Sequence, residues 1–232
     1  GNRFRNSEKS GQTKLNWLGE LPLVKKCTGG NKNMSESSLS SGLTAEMKKN
    51  LFGNAYLNML WHCPSDPRFH YWVHLPDCYY DEQNPDYQLM VIIHGTGCAV
   101  EAYLKEAKEM ADRNHVALLA PMFPGGLIER DDFNSYKLLS CDGVRYDQIL
   151  LSMIADMGKR YPGVKTDRFF LFGHSGGGQF TNRFLFVHPE RLKAVSIGAP
   201  GRPTYLNFEE NYFWGVKDFT RYFDKGLDLE QV

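Results

Sequence analysis

Residues 168–178 read Arg168-Phe169-Phe170-Leu171-Phe172-Gly173-His174-Ser175-Gly176-Gly177-Gly178, an apolar run that leads directly into glycines around a serine. The run is short enough for a buried strand. The following segment, residues 179–188, repeats apolar residues at helical spacing, namely Phe180, Phe184 and Val187. The pattern predicts a strand, a sharp turn and a helix, with the serine on the turn.

The serine stands in the pattern Gly-x-Ser-x-Gly, formed here by Gly173, Ser175 and Gly177. Between a strand and a helix, this pattern is typical of a nucleophile elbow, in which a strained turn projects the serine hydroxyl above the sheet. The neighbours of such a serine must lack side chains so that the strand and the helix can approach closely. Gly173, Gly176 and Gly177 meet that requirement. We therefore interpret Ser175 as a nucleophile; the alternative is a glycine-rich turn with an idle serine.

Length and composition exclude several classes of function. The chain has 232 residues, enough to bury a substantial core in one domain. Its 27 lysines and arginines balance 27 aspartates and glutamates, which argues against a nucleic-acid partner. No apolar stretch is long enough for a membrane span. The five cysteines show no C-x-x-C spacing, so neither a zinc site nor a disulfide framework is predicted. The sequence is compatible with a cytoplasmic or a secreted protein.

The chain divides into three predicted parts. Residues 1–50 are polar and rich in glycine, serine and asparagine, which predicts a flexible N-terminal segment. Residues 51–204 carry the strand and helix patterns of a folded core. Residues 205–232 contain many aromatic side chains and are predicted to form a lid or a connecting segment.

The core begins with a predicted antiparallel hairpin, whose strands at residues 55–63 and 68–75 flank a Pro-Ser-Asp-Pro turn. Strands and helices then alternate, a pattern that builds a parallel sheet. The strand at 89–93 is apolar throughout, as expected for a strand covered on both faces. The other predicted elements are strands at 116–120, 169–172 and 194–198, and helices after the 89–93 strand, at about 146–161 and after Ser175.

The strand at 89–93 ends in His94-Gly95-Thr96-Gly97. Together with the elbow, with His-Pro-Glu-Arg at 188–191 and with the strand that ends in Gly-Ala-Pro at 198–200, this motif resembles the α/β-hydrolase superfamily over roughly residues 55–205. The nearest subgroup is that of soluble esterases, similar to carbohydrate esterases and polyester depolymerases. The resemblance implies an α/β fold with a mostly parallel sheet, helices on both faces and an N-terminal antiparallel hairpin, here without the C-terminal strands.

The resemblance also implies a set of catalytic groups. Ser175 would attack an acyl carbonyl, provided that a base takes its proton. The developing negative charge would be met by the backbone amide of Gly176 and by that of Thr96 or Gly95, which together form an oxyanion hole. His94 and His174 stand beside these groups, but the family places them in structural roles. No metal or organic cofactor is needed for this chemistry.

The order of the catalytic triad in this family is serine, acid, histidine. After Ser175 the only histidine is His188, which belongs to the end of the elbow helix and is a poor candidate for the base. We therefore expect the chain to be the N-terminal portion of a longer hydrolase, with the histidine and the acid supplied outside it. A second polypeptide fragment that completes the fold is one form of this expectation. The alternative is a short homologue that has lost the chemistry.

A substrate pocket is expected at the carboxyl ends of the parallel strands. The loop at 122–142 and the aromatic segment at 205–232 are its predicted walls. The residues predicted to bind substrate are Phe123, Tyr205, Phe213 and Trp214. The alternative for the aromatic segment is that its rings simply pack on the body of the domain.

The leading hypothesis is a serine hydrolase of a small carboxylic ester, lactone or related acyl substrate. The main alternative is a ligand- or partner-binding protein that keeps the hydrolase scaffold without turnover. Hydrolytic cleavage of a carbon–carbon bond, which uses the same serine, is a third hypothesis.

Overall fold

The computed structural model describes residues 59–79 and 86–232. The predicted N-terminal segment, residues 1–50, and the start of the first hairpin strand lie outside the described residues. Within the described part of the chain, no helix combines the length and the apolar character that crossing a membrane requires.

Six strands of the described residues form one mixed sheet, in the order β1 (Met59–His62), β2 (His70–His74), β4 (Val116–Met122), β3 (Tyr87–Ile93), β7 (Val164–His174) and β8 (Leu192–Gly198). The first two strands run antiparallel to their neighbours, whereas β4, β3, β7 and β8 are mutually parallel. The predicted parallel sheet with an N-terminal antiparallel hairpin is therefore confirmed. Two further short strands, β5 (Ser140–Cys141) and β6 (Val144–Arg145), pair with each other.

Within the described residues, three α-helices cover the two faces of the sheet: α1 (Val100–Asn114), α2 (Tyr146–Arg160) and α3 (Gly176–Val187). Alternate side chains of β3 point to opposite faces, as in any strand. Val91 and Ile93 belong to the core that contains the apolar side chains of α2 and α3, whereas Ile92 packs with Leu104 of α1. This double coverage explains why residues 89–93 of β3 are apolar throughout.

Strand β7 is longer than the sequence pattern predicts, since it starts at Val164 and not at Phe169. Its first half is polar and largely exposed, so it carries no apolar periodicity. This half of β7 is a strand because its backbone pairs with that of β3, beginning with Val164 opposite Tyr87. Ladder hydrogen bonds do not depend on side-chain polarity, and a period-based prediction therefore misses them.

Asp147, in the first turn of α2, ties this helix to the far end of α3. Its fully buried carboxylate accepts two hydrogen bonds from Arg145, both at 2.9 Å, and lies 2.9 Å from His188 Nε2. Burial alone would raise the pKa of Asp147, but the hydrogen bonds from His188 and Arg145 outweigh burial and lower the pKa to about 2. His188 therefore has a structural role: it follows the last residue of α3 and pairs with the carboxylate of Asp147.

The Asp147 cluster predicts a defined loss of stability in acid. Because the folded pKa lies below the unfolded value of 3.8, the contribution is complete above about pH 5 and declines as the pH falls towards 2. We expect the free energy of unfolding to drop by about 2 kcal/mol over that interval on account of this group. Asp147→Asn should lose about the same amount at pH 7 and show a correspondingly flatter pH dependence.

Urea unfolding at several pH values measures this effect. Asp131→Asn, at an exposed carboxylate, is the matched control and should keep the wild-type pH profile. An Asp147→Asn protein that retains the acid-induced loss would show that other carboxylates cause it.

Candidate active site

Ser175 occupies the turn between β7 and α3 in a strained conformation, with φ 56° and ψ −117°. A residue other than glycine rarely adopts a positive φ, and this backbone conformation costs of order 1–3 kcal/mol. The turn is fixed by a 2.9 Å hydrogen bond from the Ser175 amide to Gly198 O at the end of β8. The residue is exposed, so its hydroxyl is open to solvent above the carboxyl ends of the strands.

Two glycines permit this turn because no side chain fits at their positions. A Cβ at Gly173 would lie 2.2 Å from the Gly177 carbonyl oxygen, and a Cβ at Gly177 would lie 2.3 Å from the carbonyl oxygen of Ile93. The start of α3 therefore packs directly against the backbone at the end of β3. This close packing brings the turn that carries Ser175 next to the loop that follows β3.

The loop after β3 contains Gly95 and Thr96 and is closed by a 3.1 Å hydrogen bond from the Cys98 amide to Gly95 O. A Cβ built at Gly95 would lie 3.9 Å from Ser175 Cβ, and one built at Gly176 would lie 3.0 Å from Thr96 Oγ1. Gly176 is the first residue of α3, so its amide has no acceptor within the helix. The three residues predicted to form the oxyanion hole, Gly95, Thr96 and Gly176, are thus adjacent to Ser175.

His94 supports this loop and is not available as a base. Its Nδ1 donates to Gly95 O at 2.8 Å, and its Nε2 accepts a hydrogen bond from the Phe123 amide at 3.1 Å. Both ring nitrogens therefore have hydrogen-bond partners. An acceptor at Nδ1 and a donor at Nε2 fix the neutral tautomer, which carries its proton on Nδ1. Burial lowers the pKa of His94, which favours the same neutral form.

The general base that Ser175 would need is not found within the described part of the chain. No hydrogen bond joins the Ser175 hydroxyl to a histidine there. His188 follows the C-terminal end of α3, whereas Ser175 precedes its N-terminal end. Twelve helical residues separate the two by about 18 Å at a rise of 1.5 Å per residue. His188 therefore cannot take the proton of Ser175.

A cleft of about 600 Å³ lies along the first two turns of α3, and Ser175, Gly95 and Thr96 are not among its lining residues. The loop after β4 and the segment after β8 form its walls, and α3 lies between them. The lining residues are Asn134, Lys137, Leu138, Gln179, Arg183, Gly201, Arg202, Phe213 and Trp214. Both predicted walls are represented among them.

The four aromatic residues predicted to bind substrate fall into three groups. Phe213 and Trp214 line the cleft. Tyr205 is exposed and hydrogen-bonds through its amide to Trp214 O at 2.9 Å, beside the cleft and not within it. Phe123 does not reach the cleft: its ring is fully buried and stacks against Phe180 at a centroid distance of 5.3 Å. Phe123 is thus part of the core beneath the site, because the chain turns inward directly after β4.

The aromatic segment after β8 also packs on the body of the domain. Tyr212, Phe219 and Phe223 are buried together, with Tyr212 and Phe223 at a centroid distance of 5.3 Å. The Tyr212 hydroxyl donates to Leu138 O at 2.9 Å, which fastens the segment to the opposite wall of the cleft. The assignment of residues 205–232 as a lid stays a prediction.

Lys137 is a site residue that the sequence reasoning missed. It is only 5% exposed, and its Nζ donates to Thr96 Oγ1 at 2.8 Å and to Asn134 Oδ1 at 2.7 Å. A Cβ built at Gly176 would lie 2.8 Å from its Cε, so the lysine stem lies over the elbow. Burial lowers the pKa of Lys137. The only indication of this role in the sequence is that Lys137 belongs to the loop at 122–142, which was predicted to be a wall of the pocket.

Arg183 holds the two walls in place from α3. Its guanidinium donates to Lys137 O at 2.8 Å on one side, and to Arg202 O at 3.0 Å and Thr204 Oγ1 at 2.9 Å on the other. Burial lowers the pKa of Arg183, and the backbone carbonyls take the place of water around its charge. This side chain is therefore committed to structure more than to ligand binding.

The chain is similar to known proteins in its fold and not detectably in its sequence. No family model matches the sequence, and no curated protein matches it significantly. The fold is similar to that of the LpqC poly(3-hydroxybutyrate) depolymerase from Bordetella parapertussis, with a TM-score of 0.60 and 22% identity over 81% of this chain and 64% of that one. The chain has the α/β-hydrolase fold.

A second solved structure with this fold is similar to the chain. Poly(aspartic acid) hydrolase-1 from Sphingomonas sp. KT-1 matches with a TM-score of 0.54 and 19% identity, over 69% of this chain and 62% of that one. The chain therefore spans less than two thirds of the length of either structure. At these identities the likeness establishes the α/β-hydrolase fold, and the function has to be argued from the site.

Proposed function

We propose that this chain carries the nucleophile and the oxyanion hole of a serine hydrolase that acts on a carboxylic ester, a lactone or a related acyl substrate. The observation that carries the proposal is the conformation of Ser175. A strained, exposed serine at the start of a helix, next to a second loop with free amides, is the arrangement that acyl transfer requires.

The first step would be attack by the Ser175 hydroxyl on the acyl carbonyl. A tetrahedral intermediate forms, and its oxygen becomes negatively charged. The Gly176 amide at the N-terminus of α3 and an amide of the Gly95–Thr96 loop would donate to that oxygen. The partial positive charge at the start of α3 adds to their effect.

The proton of Ser175 has to pass to a base. Since the described residues offer no histidine within hydrogen-bonding reach of the hydroxyl, we propose that the histidine and its acid come from outside this chain segment. The base would then give the proton to the leaving group. In the second half of the reaction, water would attack the acyl group on Ser175, with the same base taking its proton, and the acid product would leave.

The lack of a base for Ser175 among the described residues also supports a second candidate function. A protein that binds a ligand in the cleft without turnover would keep the fold and the cleft and would lack the base. The two functions differ in whether the Ser175 hydroxyl is activated.

A fluorophosphonate probe distinguishes them, because an activated serine displaces fluoride from phosphorus and stays covalently labelled. The full-length gene product should be used, with the modified peptide identified by mass spectrometry. The proposal predicts stoichiometric labelling on the peptide that contains Ser175. A folded protein that remains unlabelled would favour the binding function.

A further inference from the structure

Lys137 is a buried ammonium group without a carboxylate partner. No carboxylate oxygen of the described residues lies within 4.0 Å of its Nζ, although the side chain is only 5% exposed. The closest acid in its loop is Asp132, whose carboxylate instead accepts hydrogen bonds from the Asn134 and Ser135 amides. A charge in such surroundings is unfavourable unless a counter-ion arrives from elsewhere.

The ammonium group has one N–H donor without a hydrogen-bond acceptor among the described residues, and its Nζ lies 5.9 Å from the centre of the Tyr136 ring. Lysine Nζ carries three N–H donors, and Thr96 and Asn134 take two of them. The stem of Lys137 lies over Gly176, and Lys137 is one of the lining residues of the cleft. The remaining donor is therefore available to a ligand whose reacting carbonyl lies at the neighbouring amides.

Positive charge continues along the cleft. Arg202 is an exposed lining residue that forms no ion pair within the described part of the chain, and its guanidinium lies 5.9 Å from the centre of the Trp214 ring. The lining residues include no aspartate and no glutamate. The protein as a whole is neutral, so this concentration of one sign belongs to the cleft and not to the general surface.

We propose that the substrate of Ser175 carries a carboxylate in addition to its scissile acyl group, and that Lys137 and Arg202 bind this carboxylate. The inference rests on the proposed function and narrows its substrate class to monoesters of dicarboxylic acids and similar anionic acyl compounds. Lys137 would then act as a specificity residue, because an anionic substrate in the cleft would supply the carboxylate partner that its ammonium group lacks among the described residues.

Lys137 has a competing role, which is to position Thr96. Loss of that hydrogen bond would weaken the binding and turnover of neutral and anionic esters alike. A charge-recognition role instead changes the ratio between them. The test must therefore compare two ligands that differ in a single charge.

Binding can be measured without turnover in the full-length gene product that carries Ser175→Ala. Isothermal titration calorimetry with monomethyl succinate and with dimethyl succinate supplies the matched pair. We expect the monoester to bind at least tenfold more tightly. Adding Lys137→Met, which keeps the aliphatic stem, should abolish the difference, and adding Arg202→Met should reduce it severalfold.

Lys159→Met, at an exposed lysine in the last turn of α2, is the control and should leave the preference unchanged. Equal binding of the two esters, or a preference that survives Lys137→Met, would overturn the inference. Tighter binding of inorganic phosphate than of the monoester would also overturn it, since the cleft would then be built for phosphate. If Lys137→Met does not fold, as judged by circular dichroism, the Arg202→Met result decides.

Turnover separates this inference from the proposed function. The unmodified protein should hydrolyse mono-p-nitrophenyl succinate with a kcat/KM at least tenfold above that for p-nitrophenyl butyrate. Hydrolysis of both esters at equal rates would refute the carboxylate preference and leave the hydrolase intact. Absence of hydrolysis and of fluorophosphonate labelling, with the binding preference retained, would refute the hydrolase and leave a carboxylate-binding cleft.

Discussion

Ser175→Ala is expected to lower kcat/KM for ester hydrolysis by a factor of about 10⁴ to 10⁶. The methyl group cannot attack the carbonyl, so the proposed covalent step would be lost and only the proposed oxyanion hole and substrate binding would remain. The fold should be unaffected, because the hydroxyl is exposed and the residue that replaces it has the same Cβ. Steady-state kinetics with a p-nitrophenyl ester, together with fluorophosphonate labelling, measures the effect.

A matched control for this substitution is Ser196→Ala, at an exposed serine of β8 whose backbone pairs with Phe172. It removes a hydroxyl from the same sheet, away from the elbow, and should leave both kinetics and labelling at wild-type values. A Ser175→Ala protein that keeps activity within tenfold of the wild type would show that another group is the nucleophile.

Gly177→Ala is expected to destabilise the protein by about 3 kcal/mol or more. The new Cβ would lie 2.3 Å from Ile93 O and 2.8 Å from His94 O, which are backbone atoms and cannot rotate away. On helix propensity alone, alanine would be favoured over glycine by about 1 kcal/mol. The steric term therefore has to overcome a favourable one, and the sign of the change tests the packing directly.

Urea unfolding of Gly177→Ala, compared with Gly97→Ala, provides the measurement. A Cβ at Gly97 meets no atom within 4 Å, so the change there should stay below about 1 kcal/mol. If the two variants were equally stable, β3 and α3 would not be in the contact described above. Where the Gly177→Ala protein still folds, labelling of Ser175 should fall, because the new Cβ would push the start of α3 away from the backbone of Ile93 and His94.

Local sequence was sufficient to predict the central strands and the elbow. The apolar run of β3 and the glycines around Ser175 are direct consequences of tight packing, and packing leaves a periodic or compositional trace. The polar half of β7 leaves none, since its pairing with β3 is made by backbone groups. Its extent could be learned only from the structure.

The cleft was harder to predict than the elbow for a related reason. Phe123 and Phe213 are both aromatic residues in irregular segments, yet one is buried beneath the site and the other lines it. Their side-chain directions depend on how each loop crosses the sheet edge, which no periodicity records. The same holds for Lys137: a single lysine in a loop has nothing in its neighbouring residues to show that it is buried against Gly176.

The three hydrogen bonds that Arg183 makes to both sides of the cleft have a consequence for selectivity. One rigid helix fixes the separation between Lys137 O and Arg202 O, so the gap has a set width. In the proposed hydrolase, a gap of set width would select acyl chains by their size.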